Sequence, residues 1–264
     1  MSDKRLRDKV CIVTGSTSGI GLGIAQALAR HGANVMTNGL GDSRQIDDAV
    51  ASVDDAGDGK VVFSPANMIR PDEIATMARE AVDTFGTVDI LVNNAGIQFV
   101  SPIQDFPTEK WDDIIAINLS SSFHTIKAIT PHMLAAGWGR IINVASLHAL
   151  VASPFKAAYV AAKHGIAGLT KVVALELAQE NITVNAIAPG YVETPLVTGQ
   201  VTDTAKARGI SEEEVVRDVM LAAQPTKKFI QIDELAELVI FLCSDAAASI
   251  TGTVLPVDGG WSAQ

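Results

Sequence analysis

The sequence predicts a doubly wound α/β fold, a single parallel seven-stranded sheet with helices on both faces. Short apolar runs alternate with amphipathic helical stretches almost to the end of the chain. The runs are apolar on both faces, as strands are when helices cover a parallel sheet on each side. A glycine-rich turn joins the first run to the first helical stretch, the Rossmann-like arrangement of an open α/β sheet.

In chain order, strands are expected at 10–14, 34–38, 60–64, 90–93, 140–145, 183–187 and 253–257. Helical periodicity occupies 20–31, 72–85, 111–136, 155–180 and 233–244 between them. There is no linker-like composition shift, low-complexity tract or internal repeat, so a single domain is expected over 1–264. Segment 190–229 differs. Its apolar patterning is weaker, and a charged helix is expected at 212–222 between proline-bearing stretches. It follows a strand end, where open sheets place ligands, so it is expected to be a helical lid over the substrate. An ordinary solvated excursion is the competing account.

Hydrophobic residues make up 48% of the 264 and charged residues 19%, which excludes a disordered or collagen-like chain. The net charge of −10 argues against nucleic acid and anionic membranes as partners. Segment 1–9 is charged and lacks an apolar signal region, and no apolar run is long enough for a bilayer, so a cytoplasmic protein is expected. Cys11 falls in a strand pattern and Cys243 in a helix pattern, as buried small hydrophobes rather than a disulfide. The five histidines show no ligand spacing, so no metal is expected.

The turn reads Thr14-Gly15-Ser16-Thr17-Ser18-Gly19-Ile20-Gly21. Glycines let backbone approach a pyrophosphate, and the helix N-terminus beyond offers free N–H groups and partial positive charge. The spacing is Gly-x3-Gly-x-Gly, not Gly-x-Gly-x-x-Gly. Asn93-Asn94-Ala95-Gly96, Tyr159-x3-Lys163, Pro189-Gly190 and Asp258-Gly259-Gly260 follow in order. With these motifs the chain resembles the short-chain dehydrogenase/reductase family over nearly its whole length.

That resemblance implies NAD or NADP, with Gly15, Thr17, Ser18, Gly19, Ile20 and Gly21 at the pyrophosphate. It also implies contacts from Leu40, Asn67, Met68, Asn94, Ala95, Gly96, Tyr159, Lys163, Pro189 and Gly190, with Val192 and Thr194 near the carboxamide. Asn94 is expected to serve structure and binding about evenly. A carboxylate ending the second strand favours NAD, and nearby cations favour NADP. Here the strand ends Asn38-Gly39-Leu40-Gly41, Ser16 stands where NADP-dependent relatives often carry a base, and Arg44 is the nearest cation. NAD is the expected cofactor.

Tyr159 and Lys163 lie one helical turn apart on one face. An ordinary tyrosine, with a pKa of ~10, is a poor base, and a nearby ammonium together with the positive nicotinamide is expected to lower it into a useful range. In the family a serine matching Ser146 hydrogen-bonds the reacting oxygen. An asparagine matching Asn118 holds a water in a proton relay to the lysine, and Asn118 interrupts the long 111–136 helical pattern.

Gln98, His148, Lys156 and Gln200 supply amides, an imidazole and a cation near this site, with Lys156 expected one turn before Tyr159 on the same helix face. Together they would hold a small carboxylate by charge-assisted hydrogen bonds. The stretch Gly96-Ile97-Gln98, the run 105–111, Tyr159-Val160-Ala161-Ala162-Lys163-His164-Gly165, Pro195-Leu196-Val197 and Asp258-Gly259-Gly260-Trp261 are similar to the soluble bacterial D-3-hydroxybutyrate dehydrogenases of that family. The likeness implies interconversion of (R)-3-hydroxybutanoate and acetoacetate with NAD, Tyr159 serving as general base or acid, in a homotetramer. The substrate partner would be a small anionic hydroxy or keto acid. Two positions depart from that pattern: Tyr191 replaces a tryptophan beside the substrate methyl, facing Trp261, and Glu193 replaces a cation near the lid hinge. A short-chain reductase of another small ketone or 3-oxoacyl thioester, and a non-catalytic dinucleotide-sensing module, are the alternatives.

Overall fold

The computed structural model describes residues 5–194, 197, 201–202, 205 and 209–263. Seven parallel strands form one sheet in the order β3-β2-β1-β4-β5-β6-β7. They are β1 (Val10–Val13), β2 (Asn34–Asn38), β3 (Val61–Ser64), β4 (Ile90–Asn93), β5 (Gly139–Val144), β6 (Ile182–Pro189) and β7 (Val254–Val257). The order reverses between β1 and β4, which pair directly through Cys11–Ile90, Ile12–Leu91 and Val13–Val92. A crevice opens there beyond the strand ends.

Both faces of the sheet are covered, as the doubly apolar strands require. Within β1, Cys11 and Val13 join the cluster under helix α1 (Gly19–Arg30) and the C-terminal helix Ile232–Cys243. Val10 and Ile12 point the other way. They meet α3 (Pro71–Phe85), α5 (Ser121–Ala136) and α6 (Ala157–Glu176) through residues such as Ile74, Ile129 and Val173. The period-two alternation divides one strand between two cores. Cys11 and Cys243 are free thiols, 0% and 1% exposed. Helix α2 (Ser43–Asp54), which the apolar pattern does not single out, buries only Ala49 and Val53.

Three helical expectations change. The stretch 111–136 begins earlier, as α4 (Thr108–Ile115), and reaches α5 through a π-helical turn, Ala116–Ser120, centred on Asn118. The expected helix over 155–180 is shorter, because Phe155 takes a left-handed φ of 68° that a right-handed helix cannot contain. Lys156 is consequently the residue ahead of α6, not a member of its first turn. The expected 212–222 helix is one short turn, Glu212–Glu214, capped reciprocally by Ser211, and then a π-helical stretch, Val215–Met220. Among the described residues, no helix is long and apolar enough to cross a membrane.

Candidate active site

A cleft of about 920 Å³ runs across the C-terminal ends of the strands. Its floor begins at the glycine turn, where Gly15 has a φ of 62° and a Cβ there would stand 2.9 Å from Ala95 Cα. Ser18 precedes α1 in extended conformation with no side-chain cap, so the first N–H groups of α1 are left for a ligand. Gly15, Thr17, Ser18, Gly19 and Ile20 line the cleft. Gly21 is an exception to the sequence expectation: it is buried, and a Cβ there would strike Asn94 Nδ2 and the Gly15 carbonyl, so it is needed for packing beneath the turn.

Asn94 lines the cleft, but its Nδ2 donates to the Thr14 and Gly15 carbonyls at 3.0 and 2.8 Å. Those bonds tilt the balance toward structure. Asn93 anchors the sheet itself. Its Oδ1 accepts from Thr125 Oγ1 at 2.7 Å, its Nδ2 donates to Asn143 Oδ1 at 2.9 Å, and Asn143 Nδ2 donates to Thr170 Oγ1 at 2.9 Å. This buried chain ties α5, β4, β5 and α6 together with both asparagine amides answered.

At the adenosine end, Asn38 is also spent on structure. Its Nδ2 donates to the Ser64 and Ala66 carbonyls, and its Oδ1 accepts from Gly15 N–H. Ser16 is fully buried, with Oγ donating to the Val13 carbonyl at 2.8 Å, so its side chain stays out of the cleft. Gly39, the 66% exposed Leu40, Asn67 and Met68 are what remain along this wall. The Asn67 Oδ1 accepts from Ile69 N–H at 3.0 Å, which leaves its NH₂ as the free end for a base. Arg44 lies outside the lining and 4.0 Å from Asp48. The cleft fits a dinucleotide: a close-approach turn, an uncapped helix start and an apolar end with no cation among the described lining residues.

Ala95, Gly96, Pro189, Gly190, Val192 and Thr194 continue the lining to a polar centre. Ser146, at the end of β5, hydrogen-bonds Tyr159 and accepts the His148 N–H at 3.1 Å. Lys163, 4% exposed, donates to the Val144 carbonyl at 2.7 Å and lies 5.6 Å from the Tyr159 ring centre. Burial brings the Lys163 ammonium down to about 8. Burial also raises Tyr159, against a smaller downward pull from Ser146. Burial is the larger influence on Tyr159 in the protein by itself, where desolvation opposes the phenolate; the expected lowering invokes the nicotinamide charge as well.

Asn118 is brought near the centre without lining it. Its Oδ1 accepts from Ile97 N–H and its Nδ2 donates to the Ile97 carbonyl, both at 2.9 Å. The side chain holds the segment carrying Gln98, with one donor and one acceptor of the amide spent on Ile97.

Beyond Tyr159 the cleft is walled by rings. His148 meets Tyr159 edge-on at 6.2 Å and Trp261 at 6.1 Å, while Tyr191 stacks on Trp261 at 5.9 Å and 19°. Lys156 Nζ stands 3.5 Å from His148 Nε2 and 5.9 Å from the Tyr191 ring centre. Burial lowers Lys156; burial and then the Lys156 charge lower His148 to about 4. Gln98 lines the same end, and Gln200 lies outside the described residues. Glu193, expected to alter the hinge, accepts from Gln231 Nε2 at 2.7 Å, at the start of the C-terminal helix. Val197 and Ile97 also line the cleft, although no polar signature marked them in the sequence. Among the described residues there is no group of three or more histidine, cysteine or carboxylate side chains able to hold a metal.

Residues 15–262 match the family model described as Enoyl-(Acyl carrier protein) reductase. A D-beta-hydroxybutyrate dehydrogenase of Rhizobium meliloti (strain 1021) is 58% identical over 256 residues, covering 97% of this chain and 99% of the relative. Another of the same name, from Cupriavidus necator, is 55% identical over 260 residues, covering 98% and 100%. A 3-oxoacyl-[acyl-carrier-protein] reductase FabG of Staphylococcus epidermidis is 39% identical over 253 residues, covering 96% and 98%. The solved structure of levodione reductase superposes with a TM-score of 0.90 at 31% identity, covering 98% of this chain and 99% of that one.

Proposed function

Because the chain belongs to the short-chain dehydrogenase/reductase family, and is an oxidoreductase with a nicotinamide dinucleotide cofactor, we propose that it interconverts (R)-3-hydroxybutanoate and acetoacetate with NAD. The observation that carries this reading is the anion pocket beside the catalytic tyrosine: Lys156 and His148 in contact, Gln98 at the same end, and rings closing the wall behind them. A small carboxylate fits there because an ammonium that burial has already weakened gains a counter-charge.

The residues divide the work. Lys156, Gln98 and His148 hold the carboxylate, with Gln200 assigned to the same task by resemblance. The Ser146 hydroxyl holds the C3 oxygen, and Tyr159 takes the hydroxyl proton in oxidation or returns it in reduction. When bound, the cofactor's nicotinamide supplies the hydride acceptor, and its positive charge favours the phenolate that burial alone opposes. Lys163, tied to the end of β5, keeps Tyr159 and Ser146 in register. The Tyr191–Trp261 wall bounds the methyl end. Asn118 acts as a positioning residue for 96–98.

NAD is favoured over NADP because a 2′-phosphate would meet Gly39 and Leu40, with no cation in the lining on that side. Segment 190–229 is assigned as the lid of a single domain spanning 1–264. A cytoplasmic homotetramer is the expected assembly, its pairing supported by exposed Phe123 and Leu134 on α5 and Val172 and Leu175 on α6.

The test follows NADH absorbance with (R)-3-hydroxybutanoate, its S enantiomer, other short hydroxy acids and a 3-oxoacyl thioester, using NAD and NADP at equal subsaturating concentrations. The R acid with NAD should be fastest. Faster turnover with NADP, or preference for the thioester, would refute the corresponding part.

A further inference from the structure

Gln224 has no part in the chemistry above, yet it is 0% exposed. A primary amide taken out of water needs its donor and acceptor answered inside the protein. Its Oε1 accepts from Tyr191 N–H at 3.3 Å, and its Nε2 donates to the Lys228 carbonyl. The amide therefore joins the end of β6 to chain returning from the 190–229 excursion. A Cβ on Gly190 would stand 2.7 Å from Oε1, and a Cβ on Gly259 would stand 2.7 Å from Gln224 Cγ. The side chain is thus clasped by glycines from two separate strand ends.

Those glycines lead directly to the ring wall. Gly190 adjoins Tyr191. Gly259 leads into Trp261 within the turn that Asp258 caps, its carboxylate accepting from Gly260 and Ser262 N–H at 3.0 and 2.8 Å. Thr226 N–H donates to the Gly259 carbonyl at 3.1 Å, locking the Gln224 segment to that turn. One buried side chain therefore lies against the backbone beside each of two rings that stack at 5.9 Å.

We propose that Gln224 is a positioning residue that sets substrate length: it holds the Tyr191–Trp261 wall at a spacing that admits a short 3-hydroxy acid and penalises a longer one. This rests on the assignment of that wall to the methyl end of the substrate. The wall is assembled from two strand ends, so its spacing depends on whatever joins them. A larger gap would accommodate another methylene and hold the short acid more loosely.

Gln224→Met conserves volume and deletes both hydrogen bonds. It should raise KM for (R)-3-hydroxybutanoate about tenfold, as loss of buried hydrogen bonding does, with kcat changed less than about threefold. NADH affinity should be unchanged. The ratio of kcat/KM for 3-hydroxypentanoate over 3-hydroxybutanoate should rise, and the near-ultraviolet dichroism of the stacked rings should weaken. Gln224→Glu keeps the shape and an oxygen for Tyr191 N–H, but when ionised it turns a second oxygen to the Lys228 carbonyl. A buried carboxyl protonates at raised pH, so the KM of this variant relative to the parent should fall toward one as pH is lowered. A merely structural role would instead reduce kcat, NADH affinity and stability together.

Parental KM and chain-length ratio in folded variants would overturn the proposal, as would joint loss of kcat and NADH affinity. If Gln224→Met does not fold, a KM ratio for Gln224→Glu that stays flat with pH overturns it. If the parent does not oxidise 3-hydroxybutanoate, the proposed function fails. The ring dichroism of the variants then still decides whether Gln224 holds the wall.

Discussion

Replacing Lys156 with alanine removes one ammonium from the cleft while leaving α6 whole, because Lys156 precedes that helix. In the parent the ammonium stands 3.5 Å from His148 Nε2. Burial and this charge, in that order, hold the imidazole at about 4. A substrate carboxylate reaching both groups gains a charge-assisted hydrogen bond that contributes about 1.5–3 kcal/mol. Its loss should raise KM for 3-hydroxybutanoate by about 10–150-fold. Tyr159, Ser146 and Lys163 are untouched, so kcat at saturation should change by less than about tenfold, and NADH titrated by fluorescence should bind as before. Initial rates measured by NADH absorbance across substrate concentration give KM and kcat separately. His148 should also titrate at higher pH in the variant, observable by NMR, since a positive neighbour is gone. An unchanged KM alongside that upward shift would mean that the geometry is right and the anion-anchor reasoning wrong.

Tyr159→Phe should abolish turnover while NADH still binds, because only the proton-transfer group is lost; near-parental rates would remove Tyr159 from the mechanism. For His148, the folded value of about 4 lies below the ordinary 6.5, so the unfolded chain binds the proton first. Its contribution is full above pH 6.5 and is lost as pH falls toward 4, on the order of 3 kcal/mol at most. Urea unfolding of His148→Gln over that range should show a flatter acid limb. Asn93→Ala leaves Asn143 Oδ1 without its donor inside the sheet, while Thr125 Oγ1 keeps the Ser122 carbonyl as acceptor, and should cost about 1–3 kcal/mol in denaturant unfolding; a loss below about 0.5 kcal/mol would show the buried chain to be dispensable.

The fold was legible because its signals are local and repeated. Every expected strand occurs within two residues at each end, since a doubly covered strand writes its burial directly into an apolar run. Ends were less legible where backbone conformation decides. Nothing in the composition around Phe155 announces a φ of 68°, and it moves Lys156 off the helix. Asn118 was marked as a helix interruption, and a π-helical turn is what forms there. Its use in gripping Ile97 depends on a segment 21 residues away.

The site divides in the same way. Tyr159, Lys163, Ser146, the glycine turn and the cluster around His148 stood out through their likeness to the short-chain dehydrogenase/reductase motifs, and the fold brings them to one cleft. Gln224 carried no such mark, since a glutamine in a polar stretch looks like any solvated one. Nothing in the sequence showed that Ser16 and Asn38 would spend their side chains on backbone carbonyls beneath the glycine turn.

By itself, then, the sequence determined the sheet, its two covering layers and the kind of chemistry at the strand ends. The layers follow from apolar periodicity, and the chemistry from motifs whose residues and order resemble those of the short-chain dehydrogenase/reductase family. The tertiary structure decided which polar groups are left for a ligand and which are spent on the protein, and the direction of each titration. Hydrogen-bond partners and desolvation are set by neighbours distant in the chain, and the linear order of residues does not contain those distances.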